Sequence, residues 1–275
     1  MSGARSLGEV IDQLDALWPP AGAEEWDAVG LVVGARSQEV KHIRLVVDVV
    51  RATVDEAIAD GVDLIVAHHP LLLRGVTSVS EDSYKGTLVS DLIRAGVGLY
   101  SAHTNADAVD VGTSEVLGRA LGIGEMTPIA LGLDERSGIG RVGHLAQPMK
   151  LYDLVTLLGR LVPQCASGIR VSGDPEHRVQ RVALCTGAGD SLLGHPEVTS
   201  ADVYITGDLR HHPTSDIQQQ RLHSGGPALI DVAHFASEWF FLDQANSEIE
   251  RRLPGVTVSV SDIVTDPWDF VVHPS

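Results

Sequence analysis

Gly61-Val62-Asp63-Leu64-Ile65-Val66-Ala67-His68-His69-Pro70 decides the fold class. The apolar part, within 62–67, is too short for a helix and does not alternate with polar residues. Such a run suits a strand buried on both faces, the usual state of a strand in a parallel sheet. Before it, residues 43–50 read as a second strand and residues 51–60 as a helix carrying Val54, Ala57 and Ile58, closed by Gly61. After it, residues 87–95 read as a helix stopped by Gly96, and residues 97–101 as another strand. Strand, helix and strand in this order predict an α/β protein with a largely parallel sheet covered by helices.

The N-terminal residues 6–17 place Leu7, Val10, Ile11, Leu14 and Leu17 at helical spacing, with Ser6 as cap and Glu9 three residues on. Pro19-Pro20 ends that helix, and residues 26–34 read as a turn followed by a short strand. A helix is expected over 113–121. The glycine-containing segment 128–140 is the expected lobe boundary. Beyond it, strands are predicted over 140–145, 169–172, 181–186, 202–206, 228–232 and 256–260. Helices are predicted over 150–161, 214–222 and, longest of all, 235–253. Residues 266–270 read as a surface tail. The expected organisation is a first lobe over 1–128, completed by 235–275, and a second over 129–234.

The halves resemble one another. Residues 61–70 match Ser200-Ala201-Asp202-Val203-Tyr204-Ile205-Thr206, which leads to His211-His212-Pro213. Leu99-Tyr100-Ser101-Ala102-His103 with Asp107 matches Ile230-Asp231-Val232-Ala233-His234 with Glu238. A duplicated α/β unit would place the equivalent strand ends together.

Twenty basic against thirty-seven acidic residues give a formal charge of −17, and no basic run occurs. This argues against a nucleic-acid partner held through phosphates. No run approaches the roughly 20 apolar residues a membrane span needs, and the N-terminus lacks the apolar core of a signal peptide. Cys165 and Cys185 form no CxxC pair. The expected location is the cytoplasm. No Gly-x-Ser-x-Gly elbow is present. Gly187-Ala188-Gly189-Asp190 is neither a Walker loop nor GxGxxG, and reads as a tight strand-to-helix turn in preference to an anion cradle.

Histidines and carboxylates mark three strand ends. His68-His69 precedes Pro70, which holds His69 out of the helical region. His103 with Asp107, and His234 with Glu238, are four residues apart and share a helix face if the chain turns helical there. One such pair is ordinarily a solvated face, and a lone strand-end histidine ordinarily a loop residue. Recurrence at the carboxyl ends of several strands, where open α/β sheets place their sites, points to a metal centre for two divalent ions. His211 and His212 are open between supporting the site, touching substrate and structure alone. His42, His144, His177, His195, His223 and His273 read as surface residues.

With these residues in view, the chain resembles the Nif-three-like proteins, also called GTP cyclohydrolase I type 2 homologues. The matching stretches are residues 25–34, His68-His69-Pro70, His103-Thr104-Asn105-Ala106-Asp107, residues 206–212 and residues 229–238, in the family's order across nearly the whole chain. Ala28 stands where asparagine is expected, Ala106 for leucine, and Ala233-His234-Phe235 for Gly-His-Tyr; none removes a ligand. There is no room for the large middle insertion of longer members. The resemblance implies two intertwined, duplicated α/β repeats with mixed, mostly parallel sheets, and His68, His69, Asp107, His234 and Glu238 holding two metal ions (Zn, Fe, Mn, Co or Ni) with Glu238 bridging. It also implies a toroidal homohexamer and a nucleotide-like substrate such as GTP. The expected function is a dinuclear metal-dependent hydrolase acting through metal-activated water, with His103 as general acid/base. A metal-dependent phosphoesterase and a non-catalytic metal-binding scaffold are the alternatives.

Overall fold

The computed structural model describes residues 3–274. The chain divides into two compact units, Met1–Ala106 with Leu242–Thr265, and Asp107–Phe241 with Asp266–Ser275. Both are α/β.

In the first unit a five-stranded sheet runs in the order Thr257–Val260, His42–Val46, Leu64–Ala67, Gly98–Ser101, Gly30–Val33. The first three pairings are parallel and only Gly30–Val33 joins antiparallel. All four residues of Leu64–Ala67 and of Gly98–Ser101 are buried, as continuous apolar runs in a covered parallel sheet should be. Helix Arg51–Ala59 and helix Tyr84–Ala95 supply the cover: Val54, Ala57, Leu88 and Leu92 pack with Val46, Ile65 and Leu99 in one core. The second helix begins before the expected Thr87 because Ser83 accepts a capping bond from the Gly86 N–H at 3.1 Å. Helix Leu7–Leu17 starts on the expected capping box, with Ser6 and Glu9 bonded in both directions.

The second unit holds a six-stranded mixed sheet ordered Ile123–Leu131, Gly138–Lys150, Arg178–Ala188, Val203–Gly207, Ala228–Asp231, Arg170–Ser172. Its centre is parallel, Arg178–Ala188 beside Val203–Gly207 beside Ala228–Asp231, and its margins are antiparallel. The glycine-containing segment 128–140 differs from expectation. It closes an antiparallel hairpin between Ile123–Leu131 and Gly138–Lys150 within this unit. The expected long helix over 235–253 is two helices, His234–Trp239 and Phe241–Arg252. Each serves a different unit: Phe235 and Ala236 are buried in the second, and Leu242, Ala245 and Ile249 in the first.

One local device recurs. In the first unit the Asp63 carboxylate accepts the backbone N–H groups of Lys41 and His42, at 2.7 and 2.9 Å. In the second, Asp202 accepts those of Gln180 and Arg181, both at 2.8 Å. Each aspartate lies just before one parallel strand and pins its neighbour where their parallel pairing begins, at the positions the repeat comparison pairs. This is the recurrence a duplicated unit would leave.

Candidate metal centre

The first unit gathers three imidazoles at its strand ends. His68 follows strand Leu64–Ala67, and His103 follows Gly98–Ser101. The ring centroids of His68, His69 and His103 lie 5.0 to 5.4 Å apart. One ligand-type atom from each falls within 4.8 Å of the others.

What orders these rings is the atom on their far side. His68 Nδ1 is 2.9 Å from the Ala102 carbonyl, His69 Nδ1 is 2.7 Å from Asp48 Oδ1, and His103 Nδ1 is 2.8 Å from Asp27 Oδ1. Since all three partners are acceptors, each Nδ1 carries the proton and each neutral ring keeps its lone pair on Nε2. Anchoring the remote nitrogen on a carboxylate or carbonyl fixes the tautomer and orientation of a metal-ligating histidine.

Asp27 is held hard. Its side chain is fully buried, and it accepts from the Thr104 N–H, the Thr104 hydroxyl and the Ala28 N–H as well. Burial alone would raise its pKa. The bonds from His103 and Thr104 outweigh that and hold the carboxyl well below its ordinary range. The preceding residue, Trp26, is 59% exposed, with its indole 5.8 Å from the His103 ring and the two planes nearly perpendicular.

The second unit builds a smaller group the same way. His234 opens the helix after strand Ala228–Asp231, and Glu238, buried one turn on, places Oε1 3.1 Å from His234 Nε2. His234 Nδ1 is 2.7 Å from Asp208 Oδ2. Asp208 adopts φ +56°, which few residues other than glycine tolerate, a cost consistent with a positioning task. Between two carboxylates, the His234 pKa rises from 6.5 to about 11: burial opposes the charge, but Glu238 and then Asp208 outweigh it. Asp107 accepts from the Thr113 hydroxyl at 2.5 Å. The buried Cys185 thiol is pushed up to about 12, first by burial and then by the charges of Asp107 and Glu238. Cys185 is therefore protonated and unreactive as a nucleophile.

Gly187 accounts for the turn that the sequence reads as structural. It has φ +68°, and a Cβ there would overlap the Glu238 carboxylate and stand 3.2 Å from His234 Nε2. Its N–H donates to the Ser237 hydroxyl at 2.9 Å. The glycine makes room for the acid. Asp190 pairs with Arg210, while a three-residue 3₁₀ turn follows Gly189. Gly187→Ala is expected to cost about 1–3 kcal/mol through strain at a left-handed position and to lower metal retention at His234 and Glu238. Thermal melts with elemental analysis check this, and full metal content in a normally stable variant would count against it.

His211 and His212 lie exposed in the first turn of helix His211–Ser224, their rings 5.2 Å apart, and join no ligand cluster among the described residues. Strand Val203–Gly207 is followed directly by Asp208, so the His-His-Pro sequence there is displaced by three residues from its counterpart. Of the histidines read as surface residues, His42 and His195 are half-buried and structural: His42 Nε2 bonds Ser259, and His195 caps Glu197. The reading of the sequence missed Asp27, Asp48 and Asp208. The signal for Asp48 was one acid inside the apolar run Leu45-Val46-Val47-Asp48-Val49-Val50.

The chain is similar to known proteins over most of its length. The sequence profile of the family described as Duf34/NIF3 (NGG1p interacting factor 3) matches residues 6–267. A Streptomyces coelicolor protein named GTP cyclohydrolase 1 type 2 homolog is 44% identical over 95% of this chain and 93% of its own. A Mycobacterium bovis protein of the same name is 32% identical over 96% and 97%. The solved structure of a Bacillus cereus protein related to NIF3 superposes with a TM-score of 0.85 at 21% identity, covering 97% of this chain and 99% of that one, and so shares the fold.

Proposed function

Because the chain belongs to the Duf34/NIF3 family, we propose that it is a metal-dependent hydrolase. The observation that carries this reading is the set of imidazoles anchored through Nδ1, three in the first unit and His234 in the second. Neutral imidazole and carboxylate donors fit a borderline divalent cation such as Zn, Fe, Mn, Co or Ni. His68, His69, Asp107, His234 and Glu238 would hold two such ions, with Glu238 as the shared carboxylate. A divalent ion there supplies Lewis acidity, lowering the proton affinity of water and drawing charge from an electrophilic carbon or phosphorus.

The chain's own residues do the rest. His103 Nε2 takes the proton of the attacking water and returns it to the leaving group, while Asp27 on Nδ1 steadies the imidazolium in between. The exposed Trp26 indole offers a flat face beside His103 for a planar ring. That supports a nucleotide-like substrate, in line with the GTP cyclohydrolase name of the relatives. The sites would face the cavity of a ring-shaped homohexamer.

Elemental analysis of the purified full-length protein is expected to find about two bound ions. The loaded protein is then offered GTP, other nucleotides and phosphoesters, beside Glu238→Gln. Turnover is expected to fall about a hundredfold or more in the variant. Consumption of a phosphoester alone would redefine the reaction as phosphoester cleavage. Full metal content with no turnover of any compound would leave a scaffold, and absence of metal would remove the hydrolase reading.

A further inference from the structure

Helix His211–Ser224 is the longest helix among the described residues, yet it has no buried residue. A helix beside a sheet ordinarily turns an apolar stripe toward it. Here His211, Thr214, Ser215 and Gln218, spaced i, i+3, i+4 and i+7, line a cavity of about 320 Å³. Across it stand Arg170 and Ser172 of the edge strand Arg170–Ser172, with Asp231 from the neighbouring strand. Ile217 of the same helix packs against the core, while the side of the helix toward the cavity is polar and suits a polar occupant.

The donors decide what kind of occupant. Arg170, His211, Ser172, Ser215 and Gln218 can all donate hydrogen bonds. The Ser172 hydroxyl oxygen is buried with no hydrogen-bond partner. The one carboxylate, Asp231, is already engaged: it ion-pairs with Arg170 and accepts the Leu209 N–H at 3.2 Å. Asp231 thus acts as a bracket for the guanidinium, most of which is exposed. The cavity lies at the carboxyl ends of strands Val203–Gly207 and Ala228–Asp231, where open α/β sheets bind ligands. Its volume is at the small end for a ligand site.

We propose that this cavity is a binding site for a compact oxyanion, a phosphate or carboxylate group, held by Arg170 with His211, Ser172, Ser215 and Gln218. The site goes beyond the metal reading and stands without it, so its test uses full-length protein stripped of metal by chelation. Inorganic phosphate and succinate are titrated separately by calorimetry into wild type, Arg170→Gln and Gln218→Leu. Saturable binding of at least one anion is expected, weakened about tenfold or more in Arg170→Gln and measurably in Gln218→Leu, which keeps the Arg170–Asp231 pair intact. Phosphate binding assigns a phosphate ligand, and succinate binding a carboxylate. Failure of both anions to bind wild type, or equal binding by wild type and both variants, overturns the site.

Discussion

Arg141→Met is expected to destabilise the protein by about 3–5 kcal/mol, the range for stripping one partner from a buried ion pair. Arg141 is 1% exposed at the start of strand Gly138–Lys150. Its Nε lies 3.2 Å from Glu115, and its Nη atoms donate to the carbonyls of Gly138, Gly140, Val109 and Asp110 at 2.7 to 3.2 Å. Methionine fills much of the volume but leaves Glu115 and those carbonyls short of donors, and a buried group without its bond carries the full desolvation penalty. Residues 109 and 110 lie two and three residues after Asp107, so the loss should also loosen that proposed ligand. Urea denaturation with elemental analysis checks both effects. A cost under about 1 kcal/mol would mean that water replaces the guanidinium freely, against its burial.

How much of this was open to the sequence depended on how local the cause was. Leu64–Ala67 and Gly98–Ser101 were legible because a short unbroken apolar run has few other uses. Helix Leu7–Leu17 was legible through its capping box. Strand Ile123–Leu131 was not, because Gly124 and Pro128 interrupt its pattern and its partner is what holds it extended. Helix His211–Ser224 starts three residues before its apolar spacing suggests, since its polar face leaves no periodic trace. Among site residues, the histidines stood out by type and position. Asp27, Asp48 and Asp208 did not, because each acts on a ring 21 to 76 residues away and only folding pairs them.

Asp208→Asn is expected to weaken metal uptake about 10–100-fold, the usual range for losing an outer partner of a ligating histidine. The amide can still accept from His234 Nδ1, so the tautomer survives while the carboxylate's charge is lost. A second readout separates positioning from general damage. With its pKa raised from 6.5 to about 11, His234 is a cation in the metal-free protein at neutral pH. Its contribution to metal-free stability is therefore complete below pH 6.5 and fades as pH rises toward 11. An ion can take Nε2 only by expelling a proton, so uptake should release about one proton from this residue and strengthen as pH rises. Asparagine removes one of the two charges that retain that proton, so the number of protons released should begin to fall at a lower pH in the variant than in wild type, even as it binds more weakly. Calorimetric metal titrations in two buffers of different ionisation heat, repeated across pH, measure both quantities. An unchanged pH dependence of the proton count would show that Asp208 does not set the charge of His234, and an unchanged affinity that it does not position the ring.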